Sequence, residues 1–218
     1  MKAIARLTHA ILLAGLASVI VAAVPASAAD DSAAECQSQD TERRIAGCTD
    51  LLSQPGLHPE AAAAAYSLRA LAYQVKGLNE AALRDYDRSL ALSPNSPVAL
   101  NNRAWALVKS GRPLDGVNDV ERSLSLEPRN ADAHDTRGHI RQSQGRLDDA
   151  LADYEAAIRF GGARMVKLYQ CGLQSQGLYE GEVDGVVTAP LREALSKCVL
   201  GGKCDPLPPD EECRRATS

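Results

Sequence analysis

The chain has 218 residues, of which 45% are hydrophobic and 24% charged, a balance typical of globular proteins rather than of disordered or collagen-like ones. Only 4% of the residues are aromatic, which argues against a β-sandwich core. The net charge is −4 and the chain has no run of basic residues, which argues against nucleic-acid binding. Alanine (36 residues) and leucine (27 residues) are strong helix formers, so the composition predicts a mostly helical protein.

Residues 1–28 have the pattern of a cleavable secretory signal peptide. Lys2 and Arg6 precede an uncharged apolar run over residues 11–24, and Ala-Ser-Ala at 26–28 is the small-x-small pattern that signal peptidase cleaves. A membrane anchor is the alternative, but the apolar run is too short to span a bilayer comfortably. We therefore expect a periplasmic or secreted protein that has no membrane span after cleavage.

Six cysteines in an exported chain predict disulfide bonds. No Cys-x-x-Cys occurs and no histidine neighbours a cysteine, so neither a metal site nor a cofactor is expected. Other pairings remain open, but three local disulfides are expected: Cys36–Cys48 and Cys171–Cys198, which would each join neighbouring helices, and Cys204–Cys213, which would close a short proline-rich loop.

Residues 29–62 predict a degenerate helical capping unit. Cys36 is placed on a short helix, and residues 43–48 on a second helix packed against it. Ile45 precedes its equivalent, Leu83, by four residues more than one full period of the repeat that follows, so the connector carries a four-residue insertion. A stacked array of helix pairs needs such a cap at its end.

A period of thirty-four residues runs through the middle of the chain. Four columns repeat at this spacing: Arg69, Arg103 and Arg137; Ala70, Ala104 and Gly138; Gly77, Gly111 and Gly145; and Asp85, Asp119 and Asp153. The small residues let two helices approach closely, the glycine ends the first helix, and Pro94 and Pro128 end the second. Each helix pair must stack on its neighbours to bury its apolar face.

These columns resemble the tetratricopeptide repeat (TPR), whose helix pairs stack into a right-handed solenoid. The family's first alanine site corresponds to Ala82, Gly116 and Ala150, and its aromatic site to Tyr86, Val120 and Tyr154. The resemblance implies an all-α TPR solenoid over residues 63–163, with repeats at 63–96, 97–130 and 131–164. Its first helices are expected near 61–75, 97–109 and 131–143, and its second helices near 79–92, 113–126 and 147–160.

In this family the first helices line a groove that binds protein segments. The resemblance implies an unidentified protein or peptide partner bound through seven residues: Asn101, Asn102, Trp105, Lys109, Asp135, His139 and Gln142. Trp105 is open to two interpretations, a core residue or an anchor in the groove. The arginine and aspartate columns are compatible with a charged binding ladder, but an ion pair within each repeat is favoured because repeats replicate nearest-neighbour contacts.

Residues 164–200 do not continue the repeat. Their pattern comprises Gln170, Leu173, Gly177, Tyr179, Gly181, Asp184, Gly185, Thr188, Ala194 and Leu195. It resembles the small peptidoglycan-binding module of bacterial cell-wall hydrolases, which implies a helix, an ordered loop and a second helix. The ligand residues that the resemblance implies are Gln170, Gln174, Tyr179 and Asp184. Its first helix, over residues 164–176, is expected to cap the solenoid as well.

The remaining residues, 201–218, form a tail rich in cysteine and proline. No catalytic triad, Walker loop or HExxH motif occurs in the chain, so an enzyme is not expected. The favoured function is a non-catalytic envelope adaptor that binds a protein partner through the TPR groove and docks on peptidoglycan through its C-terminal module. The alternative is a pure protein–protein interaction scaffold in the periplasm, whose C-terminal segment only caps the solenoid.

Overall fold

A computed structural model of the chain describes residues 26–201, 205, 206 and 213. Nine α-helices lie within this part: α1 (Ala26–Cys36), α2 (Thr41–Ser53), α3 (Pro59–Val75), α4 (Asn79–Leu92), α5 (Pro97–Lys109), α6 (Val117–Leu126), α7 (Ala131–Ser143), α8 (Leu147–Ser175) and α9 (Ala189–Leu200). None of these helices is long and apolar enough to cross a bilayer. Up to residue 25, the predicted signal peptide lies outside the described residues.

The observed helices form the predicted pairs. The first helices of the three repeats are α3, α5 and α7, and the second helices are α4, α6 and the first half of α8. Their ends lie close to the predicted ones except in the second repeat, where Pro113–Gly116 form a 3-10 turn and the α-helix begins at Val117. The predicted all-helical architecture is confirmed for the described residues.

A glycine turn joins the two helices of each repeat. Gly77, Gly111 and Gly145 have φ angles of 72°, 73° and 72°, which glycine adopts at little cost. Gly177 repeats this conformation with φ of 69°, and its N–H donates to the carbonyl of Gln174 as in the other turns. The second half of α8 therefore ends like the first helix of a fourth repeat.

An arginine and an aspartate join the two helices of every repeat. The N–O distances are 2.7 Å for Arg69–Asp85, 2.6 Å for Arg103–Asp119 and 2.7 Å for Arg137–Asp153. The hydrogen bonds that Arg69 and Arg103 donate to these carboxylates raise the pKa of both arginines. The predicted ion pair within each repeat is thus confirmed.

The same arginines also connect neighbouring repeats. The Nη1 of Arg103 donates to Asp87 at 2.7 Å, and that of Arg69 donates to Thr49 at 2.9 Å. Thr49 corresponds to Asp87 one repeat earlier, once the four additional residues of the connector are allowed for. Helices α1 and α2, closed by the predicted Cys36–Cys48 disulfide, therefore occupy the place of a preceding repeat.

The solenoid core continues without interruption into the C-terminal segment. Gly162 breaks α8 with φ of 62° and ψ of −162°, so its second half changes direction and packs against α7 and α9. Tyr154, before the break, shares one buried cluster with Tyr169 after it and with Leu195 of α9. The second half of α8 thus packs on the third repeat and is followed by a loop and α9.

The disulfides of the C-terminal part differ from the prediction. Cys171 is bonded to Cys213, with a Cα–Cα distance of 5.8 Å, so the predicted pairs Cys171–Cys198 and Cys204–Cys213 are wrong. Cys198 also takes part in a disulfide, and Cys204 lies outside the described residues. The prediction failed because it closed the tail on itself, whereas Cys213 returns to α8 and is buried there.

Candidate functional site

Residues one repeat length apart meet where the first helices of successive repeats lie side by side. The ring centroids of Trp105 on α5 and His139 on α7 are 5.0 Å apart, and the hydroxyl of Tyr169 on α8 donates to Asp135 on α7. The name groove is used below for the surface at Trp105, Lys109 and His139. It brings together three of the seven predicted partner-binding residues.

A row of rings forms the floor of the groove. His139 lies against Trp105 on one side and against Tyr154 on the other, at a centroid distance of 5.3 Å. Tyr169 continues the row at 6.1 Å from Tyr154. The Lys109 ammonium lies 5.3 Å from the centre of the Trp105 ring, within the range of a cation–π contact. Trp105 is half-buried: its ring packs against His139 and remains partly exposed.

Two of the predicted partner-binding residues do not reach the surface. Asp135 is 4% exposed and Asn101 is 5% exposed, which contradicts their assignment to direct partner contacts. Asn101, Asp135 and Tyr169 occupy equivalent positions, each 34 residues after the one before. Their side chains lie in the interface between helices rather than in the groove. Burial raises the pKa of Asp135 to about 6, whereas the nearby His139 and the Tyr169 hydroxyl act in the opposite direction.

The other two predicted residues, Gln142 and Asn102, form hydrogen bonds within the helical array. The Tyr154 hydroxyl donates to Oε1 of Gln142 at 2.8 Å, as Tyr86 does to Gln74 two repeats earlier. Asn102 is half-buried and accepts a hydrogen bond from Asn101. Gln142 therefore fixes the tyrosine that lies under His139.

One contributor to the groove had no signal in the sequence. Asp205 of the tail lies with its carboxylate 3.7 Å from Nε2 of His139, and its backbone carbonyl accepts a hydrogen bond from Gln176 at 2.6 Å. The next residue, Pro206, is fully buried. No periodicity marks the tail, so only the folded chain shows that it returns to the third repeat.

In the C-terminal segment, two of the predicted peptidoglycan-binding residues are buried. Gln170 is 0% exposed and donates to Asp184 at 2.8 Å, while its own oxygen accepts from the backbone N–H of Gly185 at 2.8 Å. Tyr179 is 6% exposed and packs against Gly181. Gln170 and Tyr179 thus hold the loop from inside, which corrects their assignment to an open ligand surface.

The predicted turns and caps of this segment are present. Asp184 accepts from the backbone N–H of Val186, and this bond together with that from Gln170 lowers the pKa of Asp184. Thr188 accepts from Leu191 as the N-cap of α9. Asp184 and Gln174 are exposed, so of the four predicted ligand residues these two remain accessible.

A cleft of about 530 Å³ opens on another side of the same loop. It lies between α8, the loop and α9, and its lining includes the apolar side chains Ile158, Val166 and Val187. Arg159 and Arg192 line it as well, and both are exposed and form no ion pair with any described residue. Unpaired guanidinium groups beside an apolar wall fit a ligand that carries carboxylates and aliphatic groups.

The helix pair of the third repeat matches a known family of repeats. Residues 131–160 match the family model of the tetratricopeptide repeat. A search of curated proteins finds no relative of the chain. The TPR match covers α7 and most of the first half of α8, and with them Asp135, His139, Gln142 and Tyr154. TPR proteins are in general protein–protein interaction scaffolds, and the fold of this chain agrees with that class. No group of three or more His, Cys, Asp or Glu side chains within the described ranges is placed to hold a metal ion.

Proposed function

We propose that the protein is a non-catalytic adaptor of the cell envelope, which binds a protein segment in its TPR groove and docks on peptidoglycan through residues 164–200. The observation that carries the first half is the contact of Trp105 with His139. Equivalent positions of successive repeats form one partly open aromatic surface there, with Lys109 at its edge. Aromatic and cationic side chains on a rigid scaffold are typical anchors for a bound segment.

Export is the second element of the proposal. The signal-peptide pattern of residues 1–28 supports it, and so does cysteine usage. Cys36, Cys48, Cys171, Cys198 and Cys213 all take part in disulfides, a state that oxidising compartments maintain.

Peptidoglycan docking is the third element, and the cleft described above offers a place for it. The exposed Arg159 and Arg192 are suited to the carboxylates of stem peptides, and the apolar wall at Val187 to their aliphatic side chains. Since Gln170 and Tyr179 shape the loop that forms one wall of the cleft, their role in the proposal is to position Gly185 and Val187.

Cosedimentation with purified sacculi tests this element. Truncation after Gly162 is unsuitable, because it would remove Tyr169 from the solenoid core. We expect the full chain to pellet with sacculi in about 0.5 M salt, where non-specific charge attraction is screened, and Arg159→Ala/Arg192→Ala to pellet at least about tenfold less, the effect of losing about 1.4 kcal/mol. The matched control, Arg84→Ala/Arg112→Ala, removes two exposed arginines elsewhere and should behave like the parent protein.

The alternative function, a scaffold whose C-terminal segment only caps the solenoid, is favoured by one specific observation. Tyr169 and Leu173 complete the core of the third repeat, so residues 164–200 have a structural role whether or not they bind a ligand. Equal pelleting of the parent and the cleft variant would exclude the cleft as the docking site, and no pelleting of either would leave this alternative as the function.

A further inference from the structure

Asp205 approaches His139 of the groove as a residue of a bound ligand would. The Asp205 carboxylate is 3.7 Å from Nε2 of His139, the Asp205 carbonyl accepts from Gln176, and Pro206 is less than 2% exposed. Cys213, bonded to Cys171, brings a later part of the tail back to α8. Asp205 and Cys213 thus both contact the last part of the helical array.

His139, which Asp205 approaches, has a ring nitrogen, Nε2, without a hydrogen-bond partner among the described residues. The ring of His139 is only 10% exposed. The nearest acceptors are the carboxylates of Asp135, at 3.6 Å, and Asp205, at 3.7 Å. A buried nitrogen without a partner is rare in proteins because it has lost its hydration. A carboxylate that approached by a few tenths of an ångström more would satisfy it.

Charge around the ring selects the ligand. The Lys109 ammonium lies 5.3 Å from the centre of the Trp105 ring and the His139 imidazole 5.0 Å from it, so a cation and an imidazole both contact this tryptophan. Asp135 is already bound to Tyr169 and is buried. An acidic side chain therefore fits this position better than a basic or a purely apolar one.

There is also a physical reason why a proline suits the buried position after Asp205. Proline has no N–H, so its burial leaves no backbone donor without a partner. It also favours an extended conformation of the preceding residue, which leaves the carbonyl of that residue free to accept from Gln176. An acidic residue followed by proline thus meets the site with one carboxylate, one carbonyl and one apolar ring.

We infer that the groove at His139 recognises an acidic residue followed by proline in an extended segment of the protein partner, and that Asp205–Pro206 of the chain itself occupies this position until the partner displaces it. The inference rests on the proposed function of the groove and names the chemistry of its ligand. A tethered segment competes at an effective concentration that can reach the millimolar range, so a free segment with the same contacts binds weakly to the unaltered protein.

Peptide titration of the full chain tests the inference. The probe is a fluorescein-labelled peptide with the sequence of residues 202–210 and Cys204→Ser, and its matched control additionally carries Asp205→Asn. In the protein, Asp205→Asn weakens the internal ligand, and Asp148→Asn, at an exposed position of α8, is the control for the charge change. We expect the probe to bind the Asp205→Asn protein at least about tenfold more tightly than it binds the unaltered protein or the Asp148→Asn protein.

The control peptide should bind the Asp205→Asn protein at least about tenfold more weakly than the probe. Emission of Trp105, the only tryptophan of the chain, gives a second signal, since it should change in the Asp205→Asn protein and revert when the probe binds. Equal affinity for the two peptides would overturn the proposed ligand chemistry. Equal affinity of the probe for the three proteins would overturn the internal occupancy. Neither outcome depends on whether the groove captures a natural partner.

Discussion

Replacing Asp153 with alanine is expected to lower the free energy of unfolding by about 3–5 kcal/mol. The Asp153 carboxylate is 4% exposed and lies 2.7 Å from both Arg137 and Arg141, and 3.3 Å from Nδ1 of His134. The two guanidinium groups are more than four-fifths buried and would lose their buried counter-charge. Removing one partner of a buried ion pair is costly because the remaining charge stays out of water.

Asp148 on the same helix is the matched control. It is exposed and forms no ion pair with a described residue, so Asp148→Ala should change stability by less than about 0.5 kcal/mol. Urea unfolding of both variants, followed by circular dichroism, measures the difference. A loss below about 1 kcal/mol for Asp153→Ala would show that this network behaves like a set of surface ion pairs.

Replacing Asp135 with asparagine is expected to stabilise the protein at neutral pH and to do nothing in acid. The folded-state pKa of Asp135 is raised to about 6, from 3.8 for an unperturbed carboxyl, because the group is buried. A raised pKa favours the protonated carboxyl in the folded state. The contribution of Asp135 is therefore most favourable below about pH 4 and is lost as the pH rises through 6.

The shift corresponds to roughly 3 kcal/mol of folding free energy at most. Asparagine keeps an oxygen for the Tyr169 hydroxyl but carries no charge, so Asp135→Asn should be more stable than the parent by an amount approaching this value at about pH 7.5. His139, Asp205, Tyr154 and Tyr169 face the site in both proteins, so the informative quantity is the difference between the two pH profiles. Asp132→Asn, an exposed change on the same helix, serves as control. Parallel profiles for the parent and Asp135→Asn would contradict the account.

The repeat could be predicted from the sequence because every repeat copies the same nearest-neighbour contacts. Arg69, Arg103 and Arg137 recur once per repeat, since each meets an aspartate of the second helix in its own helix pair. The ends of the first helices could be predicted as well, because Gly77 and its equivalents adopt the positive φ that ends a helix. In such a fold the tertiary contacts are made within one repeat or between neighbours, so the period of the sequence is enough to predict them.

Burial within a column could not be predicted in the same way. Family positions placed Asn101 and Asp135 in the groove, but both are buried, and Asp135 accepts a hydrogen bond from Tyr169 of an incomplete fourth repeat. Gln170 and Tyr179 were predicted as ligand residues for a similar reason, since a residue that shapes a loop and one that binds a ligand give the same pattern. The pairing of Cys171 with Cys213 depends on the path of the tail, which has no periodicity.

We expect the groove at Trp105 to bind a protein partner. The most direct measurement is quantitative capture of envelope proteins by the immobilised full chain, compared with Asn102→Ala/Trp105→Ala and with Leu114→Ala/Asn118→Ala. The latter pair removes one apolar and one amide side chain at exposed positions of the second repeat, outside the groove.

We expect the parent and the Leu114/Asn118 control to retain the same partner, and the groove variant to retain at least about tenfold less of it, because a tryptophan anchor often contributes about 2 kcal/mol or more. All three proteins should show the same helical circular dichroism. Equal capture by the groove variant and the control, or unfolding of the groove variant, would contradict the claim that Trp105 anchors a partner in this groove.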